Sequence, residues 1–170
     1  KRQVYFLSPQ QRAVADRTKL NSNSGPTLYC IQLYMNYGRA PLNDAKVRRA
    51  INHAVDRDAF VKATMGGLAE VAWMQLPSAH WAYDKSLVNA TPHDVDTARR
   101  LLAEAGHKDG LDLTFLGYTD QRSVQRQEVF MEQLRKAGIR VKWNNGTIAD
   151  MSARFFRQEG DGLLSAWPGR

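Results

Sequence analysis

The sequence contains very little cysteine and no long hydrophobic run. Its one cysteine, Cys30, allows no internal disulfide and no cysteine-based zinc site. No apolar run approaches the roughly 18 residues that a membrane-spanning helix needs. The start of the chain does not resemble a secretory signal, because the apolar stretch 4–7 ends at Ser8-Pro9. The sequence therefore predicts neither a disulfide framework nor a transmembrane segment.

Catalytic motifs are missing as well. None of the four histidines has a second histidine or a carboxylate at metal-ligand spacing on the same predicted face. Gly66-Gly67 lacks the lysine and hydroxyl residue of a phosphate loop, and no GxSxG or Cys–His arrangement occurs. Asp94 and Asp96 fall at a predicted helix start, where carboxylates complement the helix dipole. No catalytic residue, metal site or cofactor is predicted.

Positive charge is in excess, and its position matters. The formal net charge is +7, and the isoelectric point is near 9.8. Residues 1–57 hold ten basic and three acidic residues, whereas residues 58–170 hold fourteen of each. Because the basic residues are spread over predicted loop and helix without a recognition motif, a solvated basic surface is favoured. A basic nucleic-acid-binding α/β domain remains the main alternative, and a non-catalytic lobe of a cytosolic enzyme is a third.

The chain divides into two parts by composition. Its 170 residues, 43% of them apolar, suit one domain with one core. Residues 1–26 are polar and rich in turn formers, so they are interpreted as a lead-in with a short helix and a loop. Residues 27–170 are interpreted as one α/β domain.

The first part of this domain has clear helix signals. The aromatic and β-branched stretch 27–37 predicts a buried strand. Asn43 or Asp44 is the predicted N-cap of a helix, and Asp56 that of the next, which stops at Gly66-Gly67. The apolar residues of the first helix recur at helical spacing, which predicts a buried face: Val47, Ala50, Ile51, Ala54 and Val55.

Strand and helix patterns alternate in the second half. Thr91 is the predicted N-cap of a helix that ends at Gly106, with the acid Asp94 in its first turn. A strand over 111–119 precedes a helix over 123–138. The next strand begins at Ile139 and is expected to turn at 144–146. A helix over 148–158 and a strand over 162–167 follow, so the sequence predicts a mixed sheet packed with helices.

Four blocks of sequence together resemble one family. The most specific is 40–57, APLNDAKVRRAINHAVDR, and three weaker ones agree with it in order: 76–84, 98–110 and 132–141. The terminal strand with Trp167 agrees too. Over residues 25–170 the chain resembles the family 5 extracellular solute-binding proteins, the peptide, oligopeptide and nickel receptors of bacterial ABC importers.

The resemblance implies a periplasmic-binding-protein type II fold, in which two lobes close over a ligand. It implies that this chain is the second lobe, a fragment of a longer receptor whose signal peptide and first lobe are missing here. The implied function is non-covalent capture of a peptide-like or other small solute and its delivery to a membrane permease. The implied location is the periplasm or the bacterial cell surface.

The resemblance also indicates where a ligand would bind. Trp167 is the predicted apolar wall and Arg170 the predicted polar contact. Arg154 or Arg157 is a weaker candidate for an acidic ligand group. The residues around the tryptophan would offer backbone groups: Ser165, Ala166, Pro168 and Gly169.

One residue departs from the pattern of the peptide-binding relatives. Those proteins carry an aspartate three residues after the tryptophan, where it holds the α-ammonium group of the peptide. This chain has Arg170 there, which carries the opposite charge. The departure predicts a ligand with an anionic group, or one without a free ammonium group at this end.

Overall fold

The computed structural model describes residues 9–18 and 28–167, without the side chains of Pro9, Gln10 and Trp167. These ranges contain six α-helices, four β-strands and a short 3₁₀ turn at Lys85–Leu87. The elements in chain order are α1 Pro9–Arg17, β1 Cys30–Met35, α2 Ala45–Ala54, α3 Arg57–Met65, α4 Val95–Glu104, β2 Leu111–Tyr118, α5 Gln121–Lys136, β3 Ile139–Gly146, α6 Ile148–Phe156 and β4 Gly162–Trp167.

The four strands form one mixed sheet in the order β1-β4-β2-β3. Strand β2 is parallel to both β3 and β4, and α5 and α6 connect these strands as crossovers. Strand β1 lies at the edge and is antiparallel to β4, from Cys30 opposite Trp167 to Met35 opposite Gly162. The predicted α/β fold with a mixed sheet is confirmed.

The main core lies on one face of the sheet. Strand β2 turns Leu111, Leu113 and Phe115 toward this face, and period-two alternation is what a half-covered strand shows. Helices α2, α4 and α5 cover the face. The buried residues that they contribute are Val47, Ala50, Ile51, Ala54, Ala98, Leu102, Phe130 and Leu134.

Helix α6 covers the other face. There Leu116 of β2, Leu163 of β4 and Met151 of α6 form a smaller buried cluster. Tyr34 and Phe155 pack against it, with ring centroids 6.3 Å apart. The sheet is therefore sandwiched between helices, so its strands are apolar on both faces where helices cover them.

Aspartates cap helices α2, α3 and α4, and the cap of α4 differs from the prediction. Asp44 and Asp56 cap α2 and α3 as expected, by accepting hydrogen bonds from Lys46 N and Ala59 N. The predicted cap at Thr91 is wrong. Helix α4 begins three residues later, with Asp94 accepting from Thr97 N at 2.9 Å. The backbone N–H of Asp94 donates to His53 O, which ties the start of α4 to the end of α2.

The predicted turn at 144–146 is also wrong. Strand β3 continues through these residues to Gly146, paired with Leu116–Tyr118 of β2. Asparagine and glycine favour turns in isolation. Here the parallel neighbour satisfies their backbone groups, and that pairing outweighs the local preference.

Asp161 joins the two halves of the sheet. Its Oδ2 accepts a hydrogen bond from Thr114 N at 2.7 Å, and its own N–H donates to Thr114 O at 2.7 Å. Its carbonyl accepts from Asn36 N at 2.8 Å. Asp161 is buried, and through these three bonds it links β2, β4 and the end of β1.

We expect Asp161→Ala to lower the free energy of unfolding by about 1–3 kcal/mol, because the N–H of half-buried Thr114 loses its acceptor. Urea unfolding of the wild-type and variant chains measures this. The matched control is Asp112→Ala, which removes an exposed aspartate that pairs with Arg140 from the same strand region. A loss no larger for Asp161→Ala than for Asp112→Ala would contradict the role of Asp161.

Candidate functional site

A cleft of about 330 Å³ opens at one edge of the sheet, where parallel strands β2 and β4 end. In open α/β sheets, ligands bind in crevices outside the carboxyl ends of the parallel strands. The cleft is lined by residues from the strand ends, the residue before β1, the start of α5 and the first residue of α6: Tyr29, Ile31, Tyr118, Asp120, Arg122, Ser123, Arg126, Ile148, Leu164, Ser165 and Ala166.

The cleft forms because β2 and β4 are paired over a short stretch. Their register contains Phe115 opposite Gly162 and Leu116 opposite Leu163. Beyond these two pairs, side chains join the strands: the Tyr118 hydroxyl lies 2.9 Å from Ser165 Oγ. The tyrosine therefore holds the two strand ends at the distance that leaves the cleft open.

A buried glutamine fixes the connection from β2 to α5. Gln127 Nε2 donates to Tyr118 O at 2.9 Å, and its Oε1 accepts from Asn145 Nδ2 at 2.8 Å. Gly117 makes room for this side chain, because a Cβ there would collide with Gln127 Nε2. The network orients the short loop that carries Asp120 into the cleft.

Asp120 is the N-cap of α5 and the acidic residue of the cleft lining. Its carboxylate accepts from Ser123 N at 3.1 Å. Partial burial acts to raise the pKa of Asp120, but the bonds from Ser123 and the charges of Arg126 and Arg122 outweigh it and lower the pKa. The carboxylate is therefore ionised at neutral pH.

Two arginines of α5 also line the cleft, Arg122 and Arg126. Arg126 is half-buried as a residue, and its Nη2 lies 3.9 Å from the thioether sulfur of Met65. A thioether is a weak, neutral acceptor. Within the part of the chain that the structure describes, Arg126 forms no salt bridge within 4.0 Å.

The sequence-predicted ligand residues are placed in different ways. Ser165 and Ala166 line the cleft, and the backbone of Trp167 ends β4 beside it. The Trp167 side chain and residues 168–170, which include Pro168, Gly169 and Arg170, lie outside the described residues.

Arg154 and Arg157 do not line the cleft. Their Nε atoms donate to Glu159 at 2.7 and 3.0 Å, and these bonds lower the pKa of that carboxyl. Helix α6 starts at the cleft with Ile148, whereas Arg154 lies in its last turn and Arg157 directly follows it. Both arginines therefore lie toward the opposite end of that helix. Their assignment as ligand contacts stays a prediction.

Sequence reasoning missed most of the cleft. Tyr118, Asp120 and Arg126 were not among the predicted contacts, although the signal was present. The segment Tyr118-Thr119-Asp120 joins the end of a strand to the start of a helix, which is where parallel sheets place their ligand sites.

The described residues contain neither a metal-binding cluster nor a membrane-spanning helix. In 9–18 and 28–167, no group of three or more His, Cys, Asp or Glu side chains is arranged to hold a metal ion. In the same ranges no helix combines the length and the apolar character needed to cross a membrane.

Comparison with protein families identifies the class. Residues 3–170 match the model of the bacterial extracellular solute-binding proteins, family 5, middle region. The chain belongs to this family, and the resemblance inferred from its sequence blocks is confirmed. The matched family consists of binding proteins of transporters.

Individual relatives give the same result. The chain is 31% identical over 163 residues to the glutathione-binding protein GsiB of Salmonella choleraesuis, covering 94% of this chain and 31% of that protein. The solved structure of AgaA from A. tumefaciens R10, in complex with agropinic acid, is 25% identical with a TM-score of 0.74, and the match covers 91% of this chain and 32% of AgaA. HbpA2 from Haemophilus parasuis shares the fold at 24% identity and a TM-score of 0.80, over 92% of this chain and 32% of its own. The chain thus spans less than a third of each.

The contact between Tyr118 and Ser165 can be measured with a double-mutant cycle. We expect Tyr118→Phe and Ser165→Ala each to destabilise the chain, with a coupling free energy of about 0.5–1.5 kcal/mol, because each removes the same hydrogen bond. Urea unfolding of the two single variants and the double variant gives the coupling. Tyr37→Phe, at an exposed tyrosine, is the control. Additive effects would show that the two hydroxyls do not hold the strand ends.

The ionisation of Asp120 predicts a pH dependence. Since its pKa is lower in the folded chain, the carboxylate contributes stability that is full above the unfolded pKa near 3.8 and is lost as the pH falls toward the folded value. Asp120→Asn keeps a capping oxygen but removes the charge. Urea unfolding at pH 6 and pH 3 should therefore show a smaller acid-induced loss for the variant than for the wild type. Equal losses would contradict the lowered pKa.

Proposed function

We propose that this chain is the second lobe of a two-lobed receptor that captures a small solute and delivers it to an ABC permease in the bacterial membrane. The solute binds non-covalently in the cleft between the lobes, in the periplasm or at the cell surface. The single observation that carries the proposal is the cleft at the ends of β2 and β4 in a family 5 chain. One wall of the cleft comes from this chain and the other from the first lobe.

The length of the relatives supports this division. The match covers nearly all of this chain but 31% of GsiB, so the relatives contain much more protein than one such lobe. Ligand sites form preferentially at domain interfaces. An open cleft on an isolated lobe is expected if closure of a second lobe completes the site.

The backbone of β4 supports a role in binding. Beyond Leu163, the groups of β4 that point away from β1 have no paired strand in β2. Extended peptide-like ligands can pair with such exposed strand edges through main-chain hydrogen bonds. Ser165 and Ala166 are therefore proposed as backbone contacts, together with Pro168 and Gly169.

Trp167 and Arg170 remain the proposed side-chain contacts at the end of β4. Strand β4 leads toward the cleft, which supports a place for both beside the ligand. Arg154 and Arg157 are weaker candidates, because Glu159 already engages both.

The nucleic-acid alternative is not favoured. Family membership supports the receptor instead, and several basic residues of the N-terminal third are used inside the fold. Arg48 Nη1 donates to Leu42 O at 2.7 Å, while the guanidinium of Arg57 contacts Thr91 O and stacks over Trp73 at 5.0 Å. These cations hold loops to helices rather than forming a continuous exposed patch.

We expect the complete receptor to be stabilised by a small solute, and Ala166→Trp to weaken that binding about ten-fold or more, because the indole would fill the cleft. A thermal-shift screen of peptides, opines, sugars and metal chelates, including glutathione and agropinic acid, finds the solute, and calorimetry compares the proteins. Ala103→Trp, at an exposed position of α4, is the matched control. The proposal would be contradicted if no solute stabilised the receptor, or if the receptor bound duplex DNA or RNA at moderate salt.

A further inference from the structure

The lining of the cleft carries charges of both signs. Arg122 and Arg126 place two cations in the lining, and Asp120 is the one anion that the described residues add. Within the described residues, Arg126 forms no salt bridge, so its charge has no close anionic partner there.

Asp120 is already committed to the fold. Its carboxylate accepts the backbone N–H of Ser123 as the cap of α5. A capping carboxylate must keep its position on the helix axis. It therefore attracts the neighbouring arginines at a distance without forming a close ion pair with Arg126.

Arg126 combines burial with a weak partner. Its guanidinium offers five N–H donors in a planar fork, and the contact that it makes is with the Met65 sulfur at 3.9 Å. Arg154, by comparison, binds Glu159 at 2.7 Å, and Arg140 binds Asp112 at 2.6 and 2.8 Å. Taking a guanidinium partly out of water without an anion costs free energy. A ligand carboxylate or phosphate in the cleft would compensate that cost.

We propose that Arg126 determines the specificity of the receptor for solutes with an anionic group, which the guanidinium contacts with paired hydrogen bonds. The inference rests on the proposed function and deepens it by naming the class of solute. It is independent of Arg170, since Arg126 acts from α5 and not from the end of β4.

The test uses the complete receptor and pairs of probes that differ in carboxylate charge. The pairs are glutathione with its dimethyl ester and the dipeptide Ala-Leu with its C-terminal amide. Calorimetry should show the acids binding about ten-fold or more tightly than their neutral forms. Arg126→Gln should abolish this preference by weakening the acids alone, and Arg126→Lys should retain part of it.

Arg135→Gln is the matched control, because Arg135 is an exposed arginine of the same helix that pairs with Glu132. It should keep the preference for acids. Equal affinity of the wild type for acid and neutral forms, or a preference that survives Arg126→Gln, overturns the inference. The inference is also overturned if the solute that binds most tightly has no anionic group. In each of these cases solute binding is still measured, so the proposed function stands. A receptor that binds no solute of the screen contradicts the proposed function itself.

Discussion

The short seam between β2 and β4 is the constraint on which the rest of the structure depends. Strand β1 is attached to the sheet through β4, and β4 meets β2 at two paired positions, Phe115 with Gly162 and Leu116 with Leu163. Side chains extend the seam at both ends. Asp161 binds the backbone of Thr114 at one end, and Tyr118 meets Ser165 at the other. The glycine at 162 is needed because a Cβ would lie 2.8 Å from Tyr34 O.

The same seam explains why the candidate site lies where it does. A continuous ladder between β2 and β4 would use the backbone groups of β4 and close the cleft. Because the ladder stops at Leu163, the following residues of β4 keep one edge for a ligand, while β1 holds the other edge. Gln127 then fixes the β2–α5 loop, so the cleft is built on rigid elements and not on a long mobile loop.

The sequence predicted those parts of the fold in which local and tertiary preferences agree. Asp44 and Asp56 cap helices as expected, and Val47, Ala50, Ile51 and Ala54 are buried at helical spacing. It failed where tertiary contacts decide. Helix α4 begins at Val95 and not near Thr91, because Asp94 is tied to His53 O, and residues 144–146 stay extended because β2 pairs with them. The junction 118–120 indicates a strand end of the kind at which parallel sheets place ligand sites, but it does not define the cleft. Whether a strand end is paired or open depends on the register, which no local pattern contains.

The electrostatics of the cleft follow from the demands of the fold. Capping α5 requires an acceptor at position 120, and the aspartate there introduces a negative charge at the mouth of the cleft. Arg122 and Arg126 follow on the first turns of the same helix, where their charges help to lower the pKa of Asp120. Arg126 forms no salt bridge within the described residues. At the start of α5, the Asp120 carboxylate is already bonded as the helix cap, and the neighbouring Arg126 guanidinium has the Met65 sulfur as its partner. An isolated wall with this arrangement pays a desolvation cost. A solute that supplied an anion would lower that cost, which is the physical basis of the selectivity proposed for Arg126.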